Sequence, residues 1–532
     1  MPSPRLALTR TYLAPTPGSA QESALESAPG GGELPGVADV RPEVEVTSEE
    51  THWDTSDLAL AAAGVSVRRQ TAERTSPAPR GWVLELPGRG PRTHEVRQAL
   101  GRAVRTAPAA LQRLTWAAAR GRSLGPVLEL STSARQRDLL DAEGDVVARL
   151  TTRQVQARAL APEDSSPQVW AEWQVEVVDG RRDLLDAVTD AWEALGAEES
   201  DRTAQLRAVL DGPDDEDGFD AVSVDDSAGA VVLARLAQDV GWLLSQDPLA
   251  RIDAPDAVRS LRIAARRLHS VLTTTAPLFA EGATEELRTE LAWITGVTRP
   301  VRDLDVLAEK LLEDLDEEAA GHTAGSGTGD PAVVADRVRA VLADRAVAAH
   351  AAVLEALDSQ RYRDLVAALE AFVADPPTLK SARREARKVL LPLVADAHRA
   401  ARDAYRDVDL DTDLEIDHDV DHVTADDADA LVRLRDAVAA ARDAAGVVAP
   451  KVGEAAEEYV DVLKELLDLL DEHADTVLAR EFLAGLVEEF GSGAFVLGRL
   501  HALEEVRSAV AFHDVEEAWD AANRKKLRKF LK

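Results

Sequence analysis

The densest run of chemically capable side chains is AVRSLRIAARRLHSVL, Ala257 to Leu272. At the helical period, Val258, Leu261, Ala265, Leu268 and Leu272 form one apolar stripe, the core-facing surface of an amphipathic helix. Arg259, Arg262, Arg266 and His269 line its flank, and Arg267 points the other way. A row of guanidinium forks beside a core suits a row of phosphates, because each fork can grip two oxygens. The competing reading is a solvated face whose arginines snorkel over their neighbours and pair with the many aspartates.

A second copy follows as ALVRLRDAVAAARDAAG, in which Val432, Arg435, Ala439 and Arg442 take the four stripe positions, so two cations are gone. TGVTRPVRDLDVL follows the first copy and LLDEHADTVLAREFL the second, with Asp303 and Asp475 in register. The repeat predicts two related helical bundles around a shared seam. Polar side chains buried in such a seam need partners or a ligand.

The elements that must position these residues begin near 229, where Ala/Leu/Arg/Asp helices take over, broken at Gly321 to Asp330 and at Asp403 to Asp429. Within the second break, the HDVDH spacing of Asp417, His418, Asp421 and His422 lacks an apolar framework and reads as a solvated loop, not a metal site. Upstream, residues 37 to 210 carry strand-like pieces. Trp82 to Leu86 ends at Pro87-Gly88 and Trp173 to Val177 at Asp179-Gly180, each placing a carboxylate opposite its hydrophobes. Asp186 to Leu195 reads as a helix stopped by Gly196. Residues 14 to 36, rich in Pro, Gly, Ser and Ala, read as a flexible insertion. Asp211 to Ser227 carries eight acidic residues and no basic one. The expected division is therefore a β domain over 1–210, an acidic linker over 211–228 and a helical domain over 229–532.

The chain has 532 residues, and 61 Lys+Arg against 96 Asp+Glu leave a net charge of −35, which opposes general nucleic-acid coating and adhesion to anionic membranes. No apolar run approaches the length of a membrane span. With no cysteine there is no disulfide, thiolate metal site or cysteine nucleophile. The opening MPSPRLALTRTYLA lacks a signal-peptide core, so a cytoplasmic location is expected. No nucleophile-elbow sequence and no Gly-rich phosphate loop occurs. In THWDT, Trp53 and Asp54 read as packing and capping residues. The tail Arg524 to Lys532 reverses sign, with six basic residues.

DAVRSLRIAARRLHSVL, RPVRDLDVL, the second copy, DEHADTVLAREFL and Trp519 with its basic tail together resemble the CHAD family. That resemblance implies two four-helix bundles related by a pseudo-twofold axis, with inorganic polyphosphate held in a central basic channel. Arg262, Arg266, Arg267, Arg302, Arg435, Arg442 and His473 fall on family positions, while the two family histidines are Arg259 and Val432 here. The implied phosphate contacts are these residues together with Arg259.

Residues 5 to 210 resemble the CYTH family through THWDTSDLALAAAGVSVRRQ, GWVLELP, THEVRQALG, RSLGPVLEL and WAEWQVEVVDG. This implies an eight-stranded antiparallel tunnel whose inward cations hold a triphosphate and whose inward glutamates hold a divalent metal. Arg68 falls on an inward arginine, and Glu172 and Glu176 share a strand face. Against the family pattern, Glu85 replaces a lysine, Gln70 an arginine, and the first lysine of the chain is Lys310. The fold class expected is thus α+β multidomain, a CYTH-like barrel followed by an all-α CHAD-like domain. The function expected is a non-catalytic binding protein for polyphosphate or a similar polyanion, with no catalytic residues, no cofactor and no confident metal site. Alternatives are an interaction protein that has lost both ligands, or a triphosphatase using Mg²⁺. The sequence identifies no protein partner.

Overall fold

The computed structural model describes residues 5–14, 34–73, 80–88, 92–101, 106–161, 166–177, 181–200, 209–210, 226–320, 330–408 and 425–531. The acidic residues 211–225, most of the 14–36 insertion, the break at 321–329 and Asp417, His418, Asp421 and His422 lie outside them. The described chain divides into two compact units, Met1–Asp220 with Asp247–Ala254, and Ala221–Gln246 with Pro255–Lys532.

Alternating sequences build the first unit. In β5 (Gly81–Pro87), Trp82, Leu84 and Leu86 face one way and Glu85 the other; in β9 (Gln168–Val177), Trp173, Val175 and Val177 oppose Glu172, Gln174 and Glu176. Six further strands complete a ring: β1 (Arg5–Leu13), β3 (Val44–Asp54), β4 (Ser66–Glu73), β6 (Arg92–Ala99), β7 (Gly125–Leu140) and β8 (Val146–Ala159). Antiparallel pairing runs β1-β6-β5-β4-β3-β7-β8-β9, and β9 returns to β1. The eight strands therefore close, as the CYTH resemblance implies. Short strands β2 (Asp39–Val40) and β10 (Glu198–Glu199) add to β7 and β1.

The apolar face of β1 and β9 points outward and is covered by a helix. Leu184, Leu185, Val188 and Trp192 of α4 (Arg182–Ala194) pack on Tyr12, Trp173, Val175 and Val177. This helix starts four residues before the expected Asp186, because its first turn already buries Leu184 and Leu185. Trp53 and Trp82 meet edge-on at 5.2 Å. Beside them Asp54 caps α1 (Ala59–Ala62), accepting from the backbone N–H of Thr55 at 2.6 Å, Leu60 at 2.8 Å and Ala61 at 2.9 Å. Two short helices, α2 (Ala109–Leu114) and α3 (Trp116–Ala119), also belong to this unit.

The second unit contains two runs of four long helices. The first is α5 (Ala228–Arg251), of which the residues up to Gln246 belong to this unit, α6 (Ala257–Thr274), α7 (Glu285–Ala320) and α8 (Pro331–Asp358). After α9 (Gln360–Ala374) comes the second: α10 (Ala386–Arg406), α11 (Ala425–Val452), α12 (Glu454–Phe490) and α13 (Ala494–Ala522). The two runs start against one another. Ala228 N–H donates to the Arg384 carbonyl and Ala386 N–H to the Asp226 carbonyl, both at 2.8 Å. They also share a core, to which Leu311 and Leu315 of α7, Val334 and Val338 of α8, Leu483 of α12 and Leu497 of α13 all contribute. The copies of the sequence repeat face each other, α6 on α11 and α7 on α12.

The acidic break is shorter than the sequence suggests. Helix α10 runs through Asp403 to Arg406, and α11 begins at Ala425. Pairs at i, i+3, Arg399–Asp396 at 2.7 Å and Arg406–Asp403 at 3.1 Å, support the last turns of α10. No helix among the described residues is long and apolar enough to cross a membrane.

Candidate functional site

Strand register assembles the barrel interior. Arg68 lies opposite His52 and Val83, Gln70 opposite Glu50, and Glu85 opposite Glu95. These inward residues converge on Arg68, which is buried. Its Nη1 is 2.6 Å from Glu85, its Nε 3.6 Å from Glu50 and its Nη2 3.9 Å from Glu95. Burial works to discharge this guanidinium, but Glu85, Glu50 and Glu95 outweigh it and hold the cation above its ordinary value. The interior holds further arginines that sequence reading missed. Arg97 bonds Glu95 at 2.5 Å, Arg149 bonds Asp138 at 2.7 Å, and Arg153 bonds Gln174. Their signal is a two-residue alternation, Glu95 with Arg97 and Arg149 with Thr151 and Arg153, which becomes legible only with the register.

Glu172 is buried, and one carboxylate oxygen accepts from Trp170 Nε1 at 2.6 Å while the other has no partner. Glu176 lies on the same face but is exposed. Four residues apart on one strand, their Cα atoms lie about 13 Å apart, and one oxygen of Glu172 is already taken by Trp170. The described residues contain no group of three or more His, Asp or Glu that could hold a metal ion. Glu172 and Glu176 thus do not fit the magnesium site that the CYTH resemblance implies.

In the helical unit, α6 meets α7 and α11. Here Arg262 and Arg266 of α6, Arg302 of α7 and Arg435 of α11 form one electrostatic cluster. Arg262 is half-buried and its buried Nη1 has no hydrogen-bond partner among the described residues. Burial, then the charges of Arg266, Arg435 and Arg302, push its pKa down to about 10. Burial and Arg435 likewise lower Arg266. Their neighbours are held by carboxylates: Arg302 Nη2 is 2.6 Å from Asp475, its Nη1 3.3 Å from Asp303, and Arg435 Nε donates to Asp471. Burial pulls Arg302 down, but Asp475, with Asp303 and Asp471, raises it overall.

The other expected positions fall elsewhere. Arg259 is exposed at the first turn of α6. Arg267 points away from this row, as expected, and there meets α5: its guanidinium lies 5.0 Å from the Trp242 ring centroid. Around it a second network gathers Arg442, bonded to Asp443 at 2.7 Å, and Arg235, bonded to Asp239 at 2.7 Å. Arg442 therefore belongs with Arg267 and not with Arg435. His473, between Asp471 and Asp475 on α12, turns to the opposite side and meets Phe512 at 5.8 Å; burial and Arg480 lower its pKa.

Among the described residues, a barrel with inward charges is followed by long helices that pair the arginine-bearing copies, the architecture the two resemblances imply. The chain belongs to the CHAD family: the CHAD domain model matches residues 234–484. Two Mycobacterium tuberculosis proteins, "Uncharacterized protein MT2285" and "Uncharacterized protein Rv2226", are each 31% identical over 387 residues, 66% of this chain and 71% of theirs. Among solved structures, PptA from Streptomyces chartreusis is 23% identical with a TM-score of 0.47, covering 55% of this chain and 99% of its own. The CHAD domain from the plant Ricinus communis is 20% identical with a TM-score of 0.42, covering 57% of this chain and 94% of its own.

Proposed function

We propose that this protein is a non-catalytic binder of inorganic polyphosphate or a similar polyanion, and that the ligand lies along the seam between α6 and α11. The observation that carries this reading is Arg262. A half-buried guanidinium with an unpartnered Nη1, crowded by three like charges, is an arrangement that an anion relieves. Arg266 adds a second cation with no ion-pair partner among the described residues, and Arg259 continues the row to the surface. The remaining expected contacts, Arg267, Arg302, Arg435, Arg442 and His473, enter this reading unequally: Arg302 and Arg435 adjoin the row, whereas Arg267, Arg442 and His473 do not.

For the barrel, the reading is loss of triphosphatase activity. Phosphoryl transfer needs cations poised on the transferring group, and Arg68 is already engaged by three carboxylates. Titration of the full chain with long-chain polyphosphate at several salt concentrations tests the binding reading. Binding that weakens steeply with salt and is reduced in Arg262→Ala supports it; no binding at low salt leaves the interaction-protein alternative.

A further inference from the structure

The charges that act on the seam arginines are of both signs. Arg262, Arg266, Arg302 and Arg435 share their surroundings with Asp303, Asp436, Asp471 and Asp475. The carboxylates are unevenly placed. Arg302 is held by Asp475 and Asp303 and Arg435 by Asp471, whereas Arg262 and Arg266 have no carboxylate at ion-pair distance among the described residues. Asp471 and Asp475 stand one helical turn apart on α12 and so share a face. Their spacing presents two negative charges in a row to the arginines of the opposing helices.

We propose that Asp471 and Asp475 form an internal counter-ligand, two carboxylates that occupy Arg435 and Arg302 and are displaced by a polyanion. This rests on the binding reading above and adds a rule of selectivity. A single phosphate gains Arg262 and Arg266 but cannot release both ion pairs. A chain of contiguous phosphates reaches all four guanidiniums as one tethered ligand, so each release follows at high effective concentration. The bidentate grip of arginine on phosphate then replaces its grip on carboxylate. The ligand class selected is therefore a linear chain of phosphates longer than the seam, and not orthophosphate or isolated phosphomonoesters.

The experiment compares the wild-type full chain with Asp471→Asn, Asp475→Asn and the double variant, titrated with orthophosphate, tripolyphosphate and long-chain polyphosphate. Expected is tighter binding of the long chain by the double variant, by about tenfold, a steeper salt dependence, and tripolyphosphate binding that the wild type lacks. Wild-type binding with no gain in the double variant, at unchanged melting temperature, overturns the counter-ligand and leaves the binding reading standing. No binding by any of the four proteins overturns both. Long-chain binding by the variants alone overturns both as stated, since Asp471 and Asp475 would then block the seam and not yield to a polyanion. Should the double variant melt early, Asp471→Asn alone carries the comparison, since that carboxylate is 38% exposed and its loss disturbs packing least.

Discussion

Arg68 Nη1 and Glu85 Oε1 stand 2.6 Å apart inside the barrel, a charge-assisted contact at a position where the CYTH resemblance implies a lysine. The strand keeps its inward polar position but inverts its charge. To grip a phosphoryl oxygen this arginine would have to turn from Glu85, Glu50 and Glu95, whose charges hold it.

The full chain should therefore release no phosphate from tripolyphosphate or nucleoside triphosphates with Mg²⁺ or Mn²⁺ above background. A multiple-turnover assay decides this. Turnover that disappears in Glu176→Gln would restore the enzyme reading.

Arg262→Ala and Arg267→Ala should separate binding from stability. Removing Arg262 deletes a crowded cation and should leave the melting temperature unchanged or higher, while weakening polyphosphate binding by about 1.5–3 kcal/mol. Removing Arg267 deletes the Trp242 contact and one cation acting on Asp443 and Asp239, which keep Arg442 and Arg235, so about 1 kcal/mol of stability should go. Denaturant unfolding and titration of both variants test the pair; equal loss of binding at unchanged stability counts against the seam.

That contrast also marks what the sequence could reveal. The amphipathic period of α6 gives Val258, Leu261, Ala265 and Leu268 correctly as buried, and the flank holding Arg262 and Arg266 is the one that reaches Arg435. A single wheel assumes one buried face, however, and α6 is covered on a second side by Trp242 of α5, so that Arg267, which the wheel points away from the flank, is packed all the same. Arg442 and Arg435 lie on one side of α11 yet two turns apart, so they serve different clusters at different heights. In the barrel, alternation separated Glu85 from Trp82 and Leu84, but which arginine meets which glutamate depends on cross-strand register. Arg97, Arg149 and Arg153 are visible only there.

His398 of α10 should impose an acid sensitivity. It is buried, its Nδ1 is 2.8 Å from the Tyr459 hydroxyl, and it lies parallel to Trp519. Burial, then the charge of Arg528, pushes its pKa down to about 4. The folded state thus prefers the neutral ring, and stability falls as pH drops from about 6.5, the unfolded value, towards 4. The full effect is about 3 kcal/mol. Urea midpoints at pH 7 and pH 5 for the wild type and His398→Gln check it: the wild type should lose more on acidification, and parallel losses would remove His398 as the cause.

We propose the boundary between the units at the acidic residues 211–228, on their Gly, Pro and Asp content. Limited proteolysis should cut there first. An initial cut within 257–274 would count against this division, since Leu261, Ala264, Leu268 and Val271 of that helix are fully buried.

The reciprocal pair of backbone hydrogen bonds at the starts of α5 and α10 bears on how the helical unit is made. Ala228 N–H and the Asp226 carbonyl acquire these partners only when Arg384 and Ala386 exist. A nascent chain that has completed its first four long helices still carries an open end, and its shared core still lacks Leu483 and Leu497. The first sequence copy is therefore not a module that matures on the ribosome and waits for a twin. The two copies become one cooperative structure late in synthesis, and a chain truncated between them should be degraded and not accumulate as half a protein.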